Sequence, residues 1–121
     1  MRILATKSFA KWLKKQKVTI TALQEAANEV VHDKYDADLG GHILKKRLGF
    51  QGRGKRGGLR TILFYKQNNR LIFLYGFKKN EKANISNTEL EAFKVFGKIL
   101  KNMTDSEVVT AIKLKNFVEL K

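Results

Sequence analysis

Phe9, Trp12 and Leu13 recur at i, i+3 and i+4. That spacing predicts a first helix, N-capped by Ser8 and ending near Lys17, behind a short strand over residues 2–6. A second apolar stripe, Leu23, Ala26, Ala27, Val30 and Val31, follows Thr21 and Gln24, which have capping-box spacing. It predicts a second helix running to about Asp33. Two helices with so short a joint read as an αα-hairpin. Residues 36–41, Asp-Ala-Asp-Leu-Gly-Gly, read as a turn.

Beyond His42 the period shortens to two, and strands are expected at residues 43–48, 59–66 and 70–77. Gln67, Asn68 and Asn69 join the last two as a tight hairpin. Residues 71–75, Leu-Ile-Phe-Leu-Tyr, are apolar on both faces, which marks a central, covered strand. In the strand before it, alternation sends Arg60, Ile62 and Phe64 to one face and Leu59, Thr61, Leu63 and Tyr65 to the other. Ser86 with Glu89, and Thr104 with Glu107, are two more capping-box pairs. The first opens a helix carrying Leu90, Phe93, Phe96, Leu100 and Met103, and the second a helix carrying Val108, Ala111 and Ile112. Residues 116–120 finish as a short extended tail. No repeat or linker interrupts the pattern, so residues 1–121 are read as one α+β domain.

Charge changes this picture. The 121 residues hold 25 Lys and Arg against 11 Asp and Glu, a formal net charge of +14. Both ends are nearly balanced, whereas residues 39–80 contain Lys45, Lys46, Arg47, Arg53, Lys55, Arg56, Arg60, Lys66, Arg70, Lys78 and Lys79 and no acid. A solvated surface usually interleaves both signs, so this stretch reads as an anion-binding surface, with nucleic acid as the natural partner. There is no cysteine, which excludes disulfides, zinc–thiolate sites and thiol nucleophiles. His32 and His42, the two histidines, are too few for a histidine-rich metal site, and both read as surface residues. No segment has a signal-peptide core or transmembrane length, so a cytoplasmic location is expected.

Gly49, Gly54 and Lys55 match the spacing of a phosphate loop. However, Arg56 stands where Ser or Thr must hold magnesium, and the segment leads into a strand where a phosphate loop leads into a helix. Residues 52–58 are better read as a flexible basic loop whose amides and cations follow a phosphate backbone. No carboxylate pair falls within the basic stretch, so it holds no ligands for two-metal nuclease chemistry and no glycosidase dyad. Lys78 and Lys79 directly follow the covered strand, and their position is therefore fixed.

Four segments carry a resemblance. They are Asp-Ala-Asp-Leu-Gly-Gly at 36–41, Lys-Lys-Arg at 45–47, Gly-Arg-Gly-Lys-Arg-Gly-Gly-Leu-Arg at 52–60, and Leu-Tyr-Gly-Phe-Lys-Lys-Asn-Glu-Lys-Ala-Asn-Ile at 74–85. In this order and spacing the chain resembles the RelE/HigB-like toxins of type II toxin–antitoxin systems over nearly its whole length. The resemblance implies a small α+β domain in which an N-terminal αα-hairpin packs on a twisted, mostly antiparallel sheet of about four strands, with C-terminal helices. It implies metal-independent, cofactor-free cleavage of mRNA, in the best-known members within the ribosome, by attack of the ribose 2′-hydroxyl on the adjacent phosphate. By position, the implied catalytic residues are Arg60, Lys79 and Lys46, while Lys45, Arg47, Arg53, Lys55, Arg56, Lys78 and Lys82 would bind RNA. The general base is expected to be a lysine whose pKa is lowered by neighbouring cations. Relatives with a tyrosine shortly after the Lys79 position find no counterpart in residues 80–85. Expected partners are mRNA, the ribosome and a cognate antitoxin, a helix-turn-helix protein encoded alongside, through which alone DNA is bound; no membrane is involved. Two alternatives stay open on the same fold: a ParE-like gyrase inhibitor and a non-catalytic nucleic-acid-binding module.

Overall fold

Each apolar stripe finds its partner in a central sheet. The structure, a computed structural model, describes residues 1–48 and 58–120. In chain order it runs β1 (Arg2–Thr6), α1 (Lys7–Lys15), α2 (Ile20–Val31), β2 (Ala37–Gly40), β3 (Ile43–Leu48), β4 (Leu59–Lys66), β5 (Arg70–Lys78), α3 (Asn87–Asn102), α4 (Asp105–Lys113) and β6 (Phe117–Glu119). The sheet order is β2-β3-β4-β5-β1-β6. β1 lies parallel to β5 and all other pairings are antiparallel, so the sheet is mixed.

Six strands replace the expected four, because two short segments pair that do not read as strands. Asp, Gly and Leu at 37–40 have turn composition, yet they pair with β3 as an edge strand whose register shifts between Asp38 and Gly40. The C-terminal tail is captured as β6 along β1, with flanking bonds from the Lys7 amide to the Asn116 carbonyl and from the Leu120 amide to the Ile3 carbonyl. The helix starts also move. Thr6 caps α1 and Thr19 caps α2, each hydroxyl accepting from the backbone amide three residues on, in place of Ser8 and Thr21. The expected boxes at Ser86/Glu89 and Thr104/Glu107 both form.

The two N-terminal helices do not pair as a hairpin. Each has one narrow apolar stripe, and the sheet takes both: α1 lies over β5 and β1, and α2 over β3. Phe9, Leu13, Leu23, Ala26, Ala27 and Val30 join Leu44, Leu48, Leu59, Leu63, Leu71 and Phe73 in one core, where Phe9 stacks on Phe73 at 5.3 Å. Full burial of each such side chain contributes about 1.5–3 kcal/mol.

The opposite sheet face is covered as well. Leu4, Ile43, Ile62, Phe64, Ile72, Leu74 and Phe77 pack with Leu100 of α3 and Val108 of α4 in a second core. β5, buried on both sides, is a covered strand as its composition predicts, and it bulges at Leu74 where its register to β4 shifts. Arg70, 2% exposed, ties this face together: its Nη1 donates to the Leu100 carbonyl at 3.3 Å and its Nη2 to Asp105 at 3.2 Å. It therefore donates to the carboxyl end of α3, where the last carbonyls lack intrahelical donors. Among the described residues no helix is long and apolar enough to cross a membrane.

Candidate nucleic-acid interface

The end of the sheet where β3 and β5 finish and β4 begins gathers most of the described site cations. Strand register places Arg47 opposite Arg60 and Arg60 opposite Phe77, while the next row on the same face is Lys45, Ile62 and Tyr75. Ile62, Tyr75 and Phe77 belong to the α3-side core, so Arg60, Lys45 and Arg47 face that side too. The alternation expected for β4 is thus realised.

Arg60 is 8% exposed, and its Nη1 is buried with no hydrogen-bond partner among the described residues. Its cross-strand neighbour is another arginine, and like charges directly opposed are destabilising. Arg47 escapes part of that cost toward Asp36, with Nε 3.3 Å from Oδ1 and its amide 2.7 Å from Oδ2. Arg60 has no such release among the described acids. A buried donor without an acceptor, set beside a second guanidinium, is an arrangement that an incoming anion would relieve.

Lys46 lies elsewhere. Alternation turns it to the α2 side in the row of Thr61 and Gly76, where it is 4% exposed and sits 3.2 Å from Glu29. Lys46 and Arg60, expected in one site, are therefore not brought together, because the paired strands β3 and β4 turn them to opposite faces of the sheet, and it is Lys45 and Arg47 that share the Arg60 face. Lys78, paired in register with Leu59, also alternates to the α2 side and is 4.0 Å from Glu81. Lys79 is exposed, one residue past the end of β5, and has no partner among the described residues. Arg53, Lys55 and Arg56, with the whole basic loop, lie outside the described residues.

The loop after β5 crosses this face. The Glu81 and Lys82 amides both donate to the Lys78 carbonyl, turning the chain back over the sheet. Lys82 Nζ then lies 2.5 Å from Glu89 Oε2, 3.3 Å from the Tyr75 hydroxyl and 5.3 Å from the centroid of the Tyr75 ring. Further on, Asn84 Oδ1 accepts from Lys45 Nζ at 3.4 Å. Lys82 is raised above the ordinary lysine range, first by its hydrogen bond to Glu89, which outweighs partial desolvation. Tyr75, Asn84 and Glu89 were not singled out by the sequence. The capping box fixes Glu89 at the start of α3, and its seven-residue distance from Lys82 is the one local signal of their meeting.

Glu89 is lowered below the ordinary glutamate range, first by the hydrogen bond from Lys82 and next by the Ser86 amide. A carboxylate whose folded pKa is depressed stabilises the fold above its unfolded value, and that contribution is lost as pH falls through the lowered folded value. The Glu89 carboxyl should therefore titrate by NMR below the ordinary glutamate range, and Lys82→Met should raise its midpoint. A Glu89 midpoint that Lys82→Met leaves unmoved would remove the ion pair.

An apolar groove of about 690 Å³ lies between the start of α1, α3 and β6, lined by Thr6, Phe96, Met103, Ala111 and Phe117 among others. None of the site cations lines it. His42 is exposed at φ 67°, with Nδ1 3.2 Å from the Tyr65 carbonyl, and His32 caps α2, so neither belongs to the interface. Among the described residues no three His, Cys, Asp or Glu side chains are grouped as a metal site would need.

A small α+β protein with a cationic patch at one end of its sheet is a candidate polyanion-binding protein. The family model described as RelE toxin of the RelE/RelB toxin–antitoxin system matches residues 1–120. The chain belongs to the RelE toxin family, as the four segments suggested, and membership implies a cognate antitoxin. No curated protein matches it.

Proposed function

We propose that this toxin is an endoribonuclease that cleaves mRNA on the ribosome, in the cytoplasm, without a metal, and so blocks translation. The observation that carries the reading is Arg60, a nearly buried guanidinium with an unpartnered Nη1, on the same face as Arg47 and Lys45. Cleavage by transesterification through the ribose 2′-hydroxyl needs cations where negative charge develops on phosphorus, a proton acceptor and a proton donor. In this reading the 2′-hydroxyl yields its proton to an amine of the Arg60 face, for which Lys45 replaces Lys46. The 2′-oxygen then bonds to phosphorus while Arg60 and Arg47 stabilise the dianionic phosphorane. The bond from phosphorus to the 5′-oxygen breaks, and Lys79 protonates the leaving oxygen. The products are a 2′,3′-cyclic phosphate and a free 5′-hydroxyl. The antitoxin is a helix-turn-helix protein encoded beside the toxin, and DNA is engaged only through that complex.

Purified toxin, mRNA and translating ribosomes should give cleavage with cyclic-phosphate ends at an unchanged rate in excess chelator. Loss of cleavage in chelator with rescue by magnesium would overturn the metal-free chemistry. RNA recovered intact would leave a binding module or a gyrase-directed toxin.

A further inference from the structure

We infer that Lys82 is a positioning residue for the cleavage site and not a contact to RNA: its ammonium clamps the 79–86 loop onto Tyr75 and Glu89, and thereby holds Lys79 at the end of β5. The inference rests on the proposed RNA-cleaving reading. By sequence Lys82 is one more cation beside Lys78 and Lys79. In the fold its ammonium is directed to Glu89 and the Tyr75 hydroxyl, with the charge near the Tyr75 ring.

The surrounding geometry shows what such a clamp would hold. Residues 79–81, 83 and 84 are exposed, so the loop gains little from burial. Its described ties include the two amide bonds to the Lys78 carbonyl, the Lys78–Glu81 contact, the Asn84 link to Lys45, Ile85 against the α3-side core, and the Lys82 cluster. Tyr75 and Glu89 are well anchored themselves. Tyr75 sits in β5 with its ring against Phe93 and Phe77, and Glu89 is fixed by its reciprocal bonds with Ser86. Lys82 therefore joins an exposed loop to two well-anchored elements, while the adjacent Glu89 carboxylate cancels most of its charge toward an incoming phosphate. Lys79, three residues earlier and without a partner among the described residues, remains available for that phosphate.

The test uses the full chain carrying Lys82→Met, Glu89→Gln, both together, or Lys82→Arg. Glutamine at position 89 keeps the capping box but loses the charge. Each single variant is expected to lower kcat about tenfold to a hundredfold, as a small misplacement of a reacting group does. KM and the salt dependence of RNA binding should be unchanged, the double variant should be no slower than the slower single one, and Lys82→Arg should recover most of the rate. If Lys82→Met instead lowers the salt slope by about one while Glu89→Gln is silent, Lys82 contacts a phosphate and the inference fails. Unchanged kcat in both singles also overturns it. If the native chain cleaves no RNA, the proposed function fails, and the clamp is judged separately by the Lys79 and Asn80 amide resonances. These should shift in both single variants, and fixed resonances would reject the clamp.

Discussion

Arg60→Ala will slow RNA cleavage by about a hundredfold to a thousandfold, the usual loss for one donor aimed at transition-state charge, while the protein stays folded. The two halves of that expectation have different origins. The rate falls because Arg60 is the guanidinium with a buried, unpartnered donor on the face it shares with Lys45 and Arg47. Stability survives because no described carboxylate depends on it and because removing one of two opposed arginines relieves repulsion across β3 and β4. Arg60→Met keeps the buried aliphatic stem and should behave as Arg60→Ala does. Arg60→Lys should recover little, since a point charge on a flexible stem does not replace a planar two-pronged donor. If Arg60 only supported the sheet, its loss would lower Tm and leave the rate per folded molecule normal. Melting curves and single-turnover cleavage on the same variants separate the two cases.

Gly76→Ala is expected to cost stability outright. A Cβ on Gly76 would come within 2.2–2.5 Å of three ring atoms of the Trp12 indole. Overfilling a packed contact typically costs about 1–3 kcal/mol, and here the ring is held by Phe9, whose centroid is 5.5 Å away. The expected fall in Tm is roughly 5–20 °C. The same change on a Trp12→Ala background should cost much less, because the atoms that clash are gone. Equal losses on both backgrounds would assign the effect to the backbone and not to the indole. Gly76 sits two residues before the end of β5, so this contact also seats the strand from which Lys79 extends.

The local elements were largely legible, and the reasons are visible in particular residues. Alternation in 59–66 assigned Arg60 and Ile62 to one face, and both capping boxes in the C-terminal half formed where their spacing put them. Alternation also separates Lys46 from Lys45 and Arg47, but the resemblance carried Lys46 into the site. What decides is the partner brought by α2, Glu29, and a contact across the fold leaves no mark in the strand. The acid-free stretch misled in the same way. Several of its cations are paired with acids that arrive from outside it: Asp36 beside Arg47, Glu29 beside Lys46, Asp105 beside Arg70. Linear charge density therefore overstates the bare cationic surface, which in the described fold narrows to the neighbourhood of Arg60 and Lys79. The edge strands β2 and β6 escaped notice because short edges take their stability from the neighbour's backbone and need no alternating pattern of their own. Both N-terminal caps moved by two residues, from Ser8 to Thr6 and from Thr21 to Thr19, since a hydroxyl near a helix start is a cap only where the backbone leaves the helical region.

The place of β1 in the sheet sets a timetable for the making of this toxin. β1 precedes every other strand, yet both its neighbours come late: β5 after β2, β3 and β4, and β6 so far along that Arg2 and its ion-pair partner Glu119 stand 117 positions apart. At about 5–20 residues per second, synthesis spends several seconds with the first strand unpaired and its Leu4 and Ala5 uncovered. An open strand edge is a template for wrong pairing until it is closed. β6 is the last of the six strands in chain order, so one edge of β1 stays open until every other strand of the sheet has been made.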